Sequence, residues 1–272
     1  MKILIMTDIE GVAGIINAEE WIYPSSKYKE EGKKLLTAEV NAAIEGFFEA
    51  GADEIVVVDG HGSGAINISL LDSCAYLQRG WSGYPFGLDF TFDVLAHVGQ
   101  HPKSGTEYGH LCHTGSFGEL EYTLNGLPIG EFGQFMFCAL EFGMTPIFAS
   151  GDYAFTKEAE ELVPGIETVY VKRGVRPGSG NECNPKEYER RNSGAIHCQP
   201  KRACAMIKEG AKWALERFIK EPGTFKPTRL SPPYKGVYHY RADGDKSEYK
   251  TYAEHETSIS KMMYGPYRLL DE

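Results

Sequence analysis

Residues 2–11, Lys2-Ile3-Leu4-Ile5-Met6-Thr7-Asp8-Ile9-Glu10-Gly11, decide the reading of this chain. An apolar run without alternation, bounded by Gly11 and Gly14, is the pattern of a strand buried on both faces that ends in a tight turn. A helical stretch follows. From about residue 28 to residue 50, Leu35, Leu36, Val40, Ala43, Ile44, Phe47 and Phe48 recur at helical spacing, with Gly51 as the stop. Next comes Glu54-Ile55-Val56-Val57-Val58-Asp59, a short β-branched run of the kind that parallel sheets bury. Strand, helix and strand in this order close by a right-handed crossover. The expected fold class is therefore α/β, a doubly wound, largely parallel sheet with helices on both faces.

The rhythm continues with a strand at 92–98, a helix at 130–142, a strand at 145–149, a short helix beginning at 158–162 and a strand at 168–171. A Gly/Pro/Asn-rich stretch, 176–184, reads as an exposed loop, and 200–219 has helical periodicity. Prolines 222, 227, 232 and 233 then mark a linker into a polar, tyrosine-rich end. The expected organisation is a main α/β domain over 1–221 and a small irregular or β appendage over 222–272, suited to contacts between subunits.

The formal charge is 28 minus 38, or -10, which argues against nucleic acid or an anionic membrane as partner. Six cysteines without a C-x-x-C pair read as reduced thiols. No apolar stretch approaches the ~18–20 residues that cross a bilayer, and the first strand starts without signal-peptide organisation, so a cytoplasmic location is expected. Neither a P-loop nor a Rossmann glycine fingerprint follows the first strand, which argues against nucleotide chemistry.

Open α/β sheets bind ligands beyond the carboxyl ends of their strands. The first strand ends in Asp8-x-Glu10, whose side chains point the same way in an extended segment. The second ends in Asp59-Gly60-His61-Gly62, and the strand at 92–98 runs into Gly99-Gln100-His101. Glu131 follows a turn at 125–130. Singly, each has a bland reading: a capping or solvated acid, a structural histidine, a first-turn glutamate favoured by the helix dipole. Together, Asp8, Glu10, His61, His101 and Glu131 offer three carboxylates and two imidazoles, a set that suits two Zn²⁺ ions with a bridging carboxylate. Two-metal sites of this kind activate water, so hydrolysis is the implied reaction, and 1–221 becomes a metallohydrolase domain. His110 and His113 flank Cys112; either histidine is placed to shuttle a proton, and spacing does not choose between them. Cys112 reads as a packing thiol.

These residues resemble the DppA-type D-aminopeptidases. The resemblance rests on Thr7-Asp8-Ile9-Glu10-Gly11, Asp59-Gly60-His61, Gly99-Gln100-His101, His113-Thr114, the stretch from Asn125-Gly126 to Gly130-Glu131, and Ala149-Ser150-Gly151-Asp152, in that order over roughly residues 1–220. It implies a dinuclear zinc aminopeptidase that releases N-terminal D-amino acids from short peptides. The metal ligands would be Asp8, Glu10, His61, His101 and Glu131, with Asp8 bridging, and His113 would be catalytic. It also implies a large ring-type homo-oligomer, a decamer in the family pattern, with an enclosed chamber. The chain departs from that pattern in an extra residue between His101 and His113, an insertion at 177–190 and an end after Pro233 that does not follow the family's helical terminus. Competing readings on the same residues are a two-metal phosphoesterase or other amidohydrolase, with Lys172, Arg173 and Arg176 as the cationic cluster, and a non-catalytic small-molecule-binding α/β protein.

Overall fold

The computed structural model describes residues 1–80, 85, 88, 89 and 91–270. In chain order, β1 (Lys2–Thr7), α1 (Ala18–Trp21), α2 (Lys29–Glu49), β2 (Glu54–Asp59) and β3 (Tyr76–Gln78) come first. β4 (Val94–Gln100), β5 (Glu119–Leu124), β6 (Leu127–Pro128), α3 (Glu131–Glu141), β7 (Thr145–Asp152), α4 (Tyr153–Leu162) and β8 (Glu167–Gly174) follow. α5 (Pro185–Arg191), β9 (Ala195–His197), α6 (Pro200–Lys220), β10 (Tyr234–Tyr240), β11 (Tyr249–His255), α7 (Ile259–Tyr264) and β12 (Arg268–Leu269) complete it.

Seven strands form one sheet in the order β3-β2-β1-β4-β7-β8-β9. Every neighbouring pair is parallel except β8 and β9. The chain builds outward from β1 in one direction and from β4 in the other, so the order reverses between them and opens a crevice at their carboxyl ends. Both faces of the sheet are covered, which is why the strand sequences do not alternate. Ile3, Ile5 and Val57 pack with Leu36, Val40 and Phe47 of α2 and with Ile207 and Ala211 of α6. On the other face Leu4, Met6 and Leu95 pack with Phe132, Phe135 and Met136 of α3 and Phe155 of α4.

A second, antiparallel sheet runs β12-β11-β10-β5-β6. It lies over the α3 side, where Tyr122, Leu124, Tyr234 and Ala253 join the same core as α3. Glu141 of α3 accepts hydrogen bonds from the Ile259 and Ser260 amides at 2.8 and 2.7 Å and so caps α7. The tyrosine-rich end thus supplies three strands that pair with a hairpin at 119–128, which sequence periodicity did not mark. Two other boundaries differ from the sequence reading. α4 begins at Tyr153 rather than near 158, because Asp152 caps it through the Ala154 amide at 2.7 Å. The stretch 177–190 runs into α5, started by an Asn184/Glu187 capping box. No helix among the described residues is long and apolar enough to cross a membrane.

Where β1 and β4 end, their backbones come unusually close. The Asp8 amide donates to the Val98 carbonyl at 3.0 Å, and the Gly11 amide to the Gly99 carbonyl at 2.7 Å. Gly99 has φ +79°, and a Cβ there would lie 2.1 Å from the Asp8 carbonyl oxygen. Gly99→Ala should therefore cost about 3 kcal/mol, from the left-handed backbone and the clash together. Gly51 has a similar φ of +95° but open space around it. Gly51→Ala should cost only about 1–2 kcal/mol, the price of the backbone conformation alone. Urea unfolding of the two variants measures the difference.

Candidate metal centre

The crevice at the ends of β1, β2 and β4 collects the predicted residues. Asp8 leaves the end of β1 with its carboxylate between two imidazoles: Oδ1 is 3.2 Å from His61 Nδ1, and Oδ2 is 3.2 Å from His101 Nε2. Glu10 Oε1 stands 3.4 Å from the same His61 nitrogen. On the far side, Glu131 Oε1 is 3.6 Å from His101 Nε2 and 3.7 Å from His113 Nε2. The imidazoles of His101 and His113 stack with centroids 3.9 Å apart. Two groups result, Asp8 with Glu10 and His61, and Glu131 with His101 and His113; within each, the potential ligand atoms lie within 4.8 Å of one another. Asp8 faces both groups, one oxygen to each.

The surrounding chain fixes these side chains. His101 Nδ1 donates to the Pro102 carbonyl at 3.0 Å and His113 Nδ1 to the Leu111 carbonyl at 2.8 Å, which leaves the Nε2 atoms to face the acids. Glu131 opens α3, where an acid is favoured by the helix dipole, and Oε1 accepts the Gly115 amide at 2.7 Å. The first-turn and metal-facing readings of Glu131 are compatible. Glu10 Oε2 and His101 Nε2 are buried without a hydrogen-bond partner in the protein. Buried polar atoms are rarely left so, and carboxylate oxygens beside bare imidazole nitrogens are the donor set that zinc takes.

The electrostatics show what a cation would replace. Burial opposes the Asp8 carboxylate, but the adjacent imidazoles of His101 and His61 override it and hold its pKa well below the usual range. Burial opposes Glu131 as well, and the His101 charge brings its pKa down to about 2. The histidines show the reciprocal effect. Burial would lower His61, yet Glu10 and Asp8 raise its pKa to about 10, and His101 is carried well above its usual value by Glu131 and Asp8 against the same desolvation. His113 goes the other way, lowered by burial and by the His101 charge. Without a metal, protons on His61 and His101 offset the carboxylates.

His110 is elsewhere. Its Nε2 lies 2.9 Å from the Ile16 carbonyl and 3.2 Å from that of Ser193, so it ties loops together instead of facing the acids. Cys112 is buried, with Sγ 3.2 Å from the Tyr188 hydroxyl. Lys172 is buried with Nζ 3.3 Å from the Ile15 carbonyl, and its charge is answered first by Asp152 and Glu39 and less by Glu10. Sequence reasoning missed three supporting side chains. Gln100 donates from Nε2 to Asp8 Oδ2 at 3.2 Å. Arg79 holds the His61 loop through the carbonyls of Asp59, His61 and Gly62 at 2.9, 2.9 and 3.0 Å. Lys29 bonds the Ile22 carbonyl and Ser63 Oγ at 2.6 and 3.0 Å. Gln100 adjoins a predicted ligand and carried a signal; Arg79 and Lys29 lie far away in sequence and carried none.

Two hollows meet at the acids. One, of about 290 Å³, is walled by Ile22, Tyr23, Pro24, Ser63, Phe117 and His113. The other, of about 300 Å³, runs along the α3 side past Met6, Gln100, Gln134, Phe135 and Tyr238.

A family model described as D-aminopeptidase, peptidase family M55, matches residues 1–244. The D-aminopeptidase of Bacillus subtilis (strain 168) is 28% identical over 243 residues, covering 87% of this chain and 80% of that protein. Among solved structures, the Zn-dependent D-aminopeptidase DppA from Bacillus subtilis, described as a self-compartmentalizing protease, shares the fold with a TM-score of 0.81 at 21% identity. That likeness covers 96% of this chain and 93% of the other.

The charge balance yields a prediction. His61 and His101 have raised pKa values in the metal-free protein, so both hold protons at pH 7, and a metal must displace them. Loading should release about two protons per chain at pH 7, and affinity should rise with pH toward the His61 value of about 10, by up to about tenfold per pH unit for each proton displaced. Titration calorimetry in two buffers of different ionisation enthalpy measures the release; pH-independent binding contradicts it.

Proposed function

The chain belongs to the D-aminopeptidase family of M55 peptidases, and from that premise we propose that it is a dinuclear zinc aminopeptidase whose metals are held by Asp8, Glu10, His61, His101 and Glu131. The observation that carries this reading is the Asp8 carboxylate, with one oxygen 3.2 Å from an imidazole of each group. A carboxylate divided in this way would serve two cations at once. The relative of known fold is itself described as Zn-dependent, and the donor set is the one zinc prefers.

Zinc, when bound, would polarise the scissile carbonyl and lower the pKa of water. The protein's own groups do the rest. Asp8 ties the two groups together, and Gln100 holds its orientation through Nε2. His113 is neutral near pH 7, because burial lowers its pKa. Its Nδ1 proton is committed to Leu111, so Nε2 is the atom that takes a proton from the attacking water and returns it to the leaving amine. His113 also lines the cleft with Tyr23 and Phe117, where a substrate passes. We assign it the proton-carrying role in preference to a fourth ligand position beside His101 and Glu131.

The phosphoesterase reading lacks its cations. Neither hollow at the acids is lined by Lys or Arg among the described residues, whereas Lys172 and Arg173 line a separate one. The relative of similar fold is described as self-compartmentalizing. A closed homo-oligomer with enclosed sites and short peptides as substrates is accordingly the assembly we propose.

Three measurements test these assignments. Elemental analysis should find two zinc ions per chain in protein prepared without chelator, and almost none in Asp8→Ala, since a shared carboxylate supports both. His113→Ala should keep its zinc and lose kcat/KM on a D-alanyl peptide by roughly 10²–10⁴-fold; loss of zinc instead would make His113 a ligand. In light scattering, a monodisperse monomer fully active on tripeptides would overturn the assembly.

A further inference from the structure

Arg241 is a buried cation whose hydrogen bonds, among the described residues, all go to uncharged groups. It follows β10 and is 3% exposed. Nη1 donates to the Gly180 and Cys183 carbonyls at 2.8 and 3.3 Å, and Nη2 donates to Ser104 Oγ at 3.4 Å. The guanidinium carbon lies 3.6 Å from the centroid of the Tyr188 ring. Tyr188, on α5, is fully buried; its Oη accepts the Gly105 amide at 2.7 Å and lies 3.2 Å from Cys112 Sγ. Burying a charge away from acids stabilises a fold weakly, and an apolar residue often holds the place as well. What a forked, stacked guanidinium supplies is fixed geometry among the segments it joins.

Those segments converge on the loop between β4 and β5, residues 101–118, which contains neither helix nor strand. His101 opens the loop one residue beyond β4 and shares the rigidity of the sheet. His113 has no such support. Its Nδ1 donates to the Leu111 carbonyl, and Leu111 and Tyr108 hold φ at +51° and +57°. Residues other than glycine keep that left-handed conformation only where their surroundings over-determine it. Here the surroundings are α5 and the end of β10. The Leu111 amide donates to the Asn192 carbonyl at 2.9 Å, just past α5, and the Arg241 amide to the Gly118 carbonyl at 2.8 Å. Ser104, which accepts from Arg241, donates its own amide to Thr114 Oγ1 at 3.1 Å, next to His113. The ring of Phe117 stands 4.6 Å from that of His113 and 6.5 Å from that of Tyr188.

We propose that Arg241 and Tyr188 are positioning residues for the reaction, and that their stacked pair holds the loop so that His113 stays in reach of the proton it carries. This rests on the role assigned to His113 above. Neither residue belongs to the two metal-facing groups, so their loss should leave the zinc in place. A proton carrier displaced by even about 1 Å slows the chemical step by up to about 10²-fold. Substrate binding suffers less, because the opposite wall of the cleft, Ile22, Tyr23 and Pro24, lies outside the braced loop.

The test measures kcat, KM and zinc content of the zinc-loaded Arg241→Gln and Tyr188→Phe variants on a D-alanyl peptide, well below their unfolding temperatures. Each should lower kcat by roughly 10–100-fold, change KM by less than about threefold and keep wild-type zinc content. Hydrogen exchange at the Gly105 and Leu111 amides should quicken in both. Should Arg241→Gln fail to fold, Tyr188→Phe carries the test, since it deletes one oxygen and leaves the ring for Arg241. A wild-type kcat in folded, zinc-loaded variants overturns the proposal, because a merely structural brace would lower stability and leave turnover unchanged. A change confined to KM, or an activity loss matched by loss of zinc, overturns it too. Failure of the underlying aminopeptidase reading looks different: the wild-type protein then cleaves no D-alanyl peptide, and the positioning claim falls with it, while the quickened exchange would remain.

Discussion

The structure turns on the contact between the ends of β1 and β4. Gly11 and Gly99 let the two backbones meet, and a side chain at either would collide with the opposite strand at about 2.1 Å. That closeness sets Asp8 at the point where the sheet order reverses, with His101 arriving from β4 and His61 from β2 on either side. Slipping β1 by one residue would turn the carboxylate to the other face. The glycines and the acid are therefore a single arrangement.

Burying three carboxylates together is unfavourable unless positive charge answers them. In the metal-free protein, His61 and His101 supply it as protons. The supporting bonds keep the geometry rigid in either state: Gln100 on Asp8, the Pro102 and Leu111 carbonyls on the two stacked imidazoles, the Gly115 amide on Glu131. A site held this way meets a dication with little reorganisation, which is the usual source of affinity in a preformed centre. The same rigidity separates the two stacked histidines electrostatically. His101 is pressed between two acids and its pKa is raised, while burial and the His101 charge lower that of His113.

Much of this was legible in the sequence, for identifiable reasons. The β1 and β2 runs and the α2 periodicity are strong local signals, and Asp8, Glu10, His61 and His101 stand where strand ends were expected. Glu131 was placed by its turn and the helix after it. The choice between His110 and His113 was beyond spacing, because it depends on which carbonyl each ring meets. β5 was missed because it is fixed by β10, more than a hundred residues away, and β6 and β12 because strands of two residues carry no period. Arg79 and Lys29 were missed because they act through backbone carbonyls of distant loops.

The most direct test of the central claim, two cations astride Asp8, is anomalous diffraction at the zinc edge from crystals of the zinc-loaded protein. The account predicts two peaks, one between Asp8, Glu10 and His61 and the other between Asp8, His101 and Glu131. A single peak, or peaks that leave Asp8 without a metal contact, would contradict it.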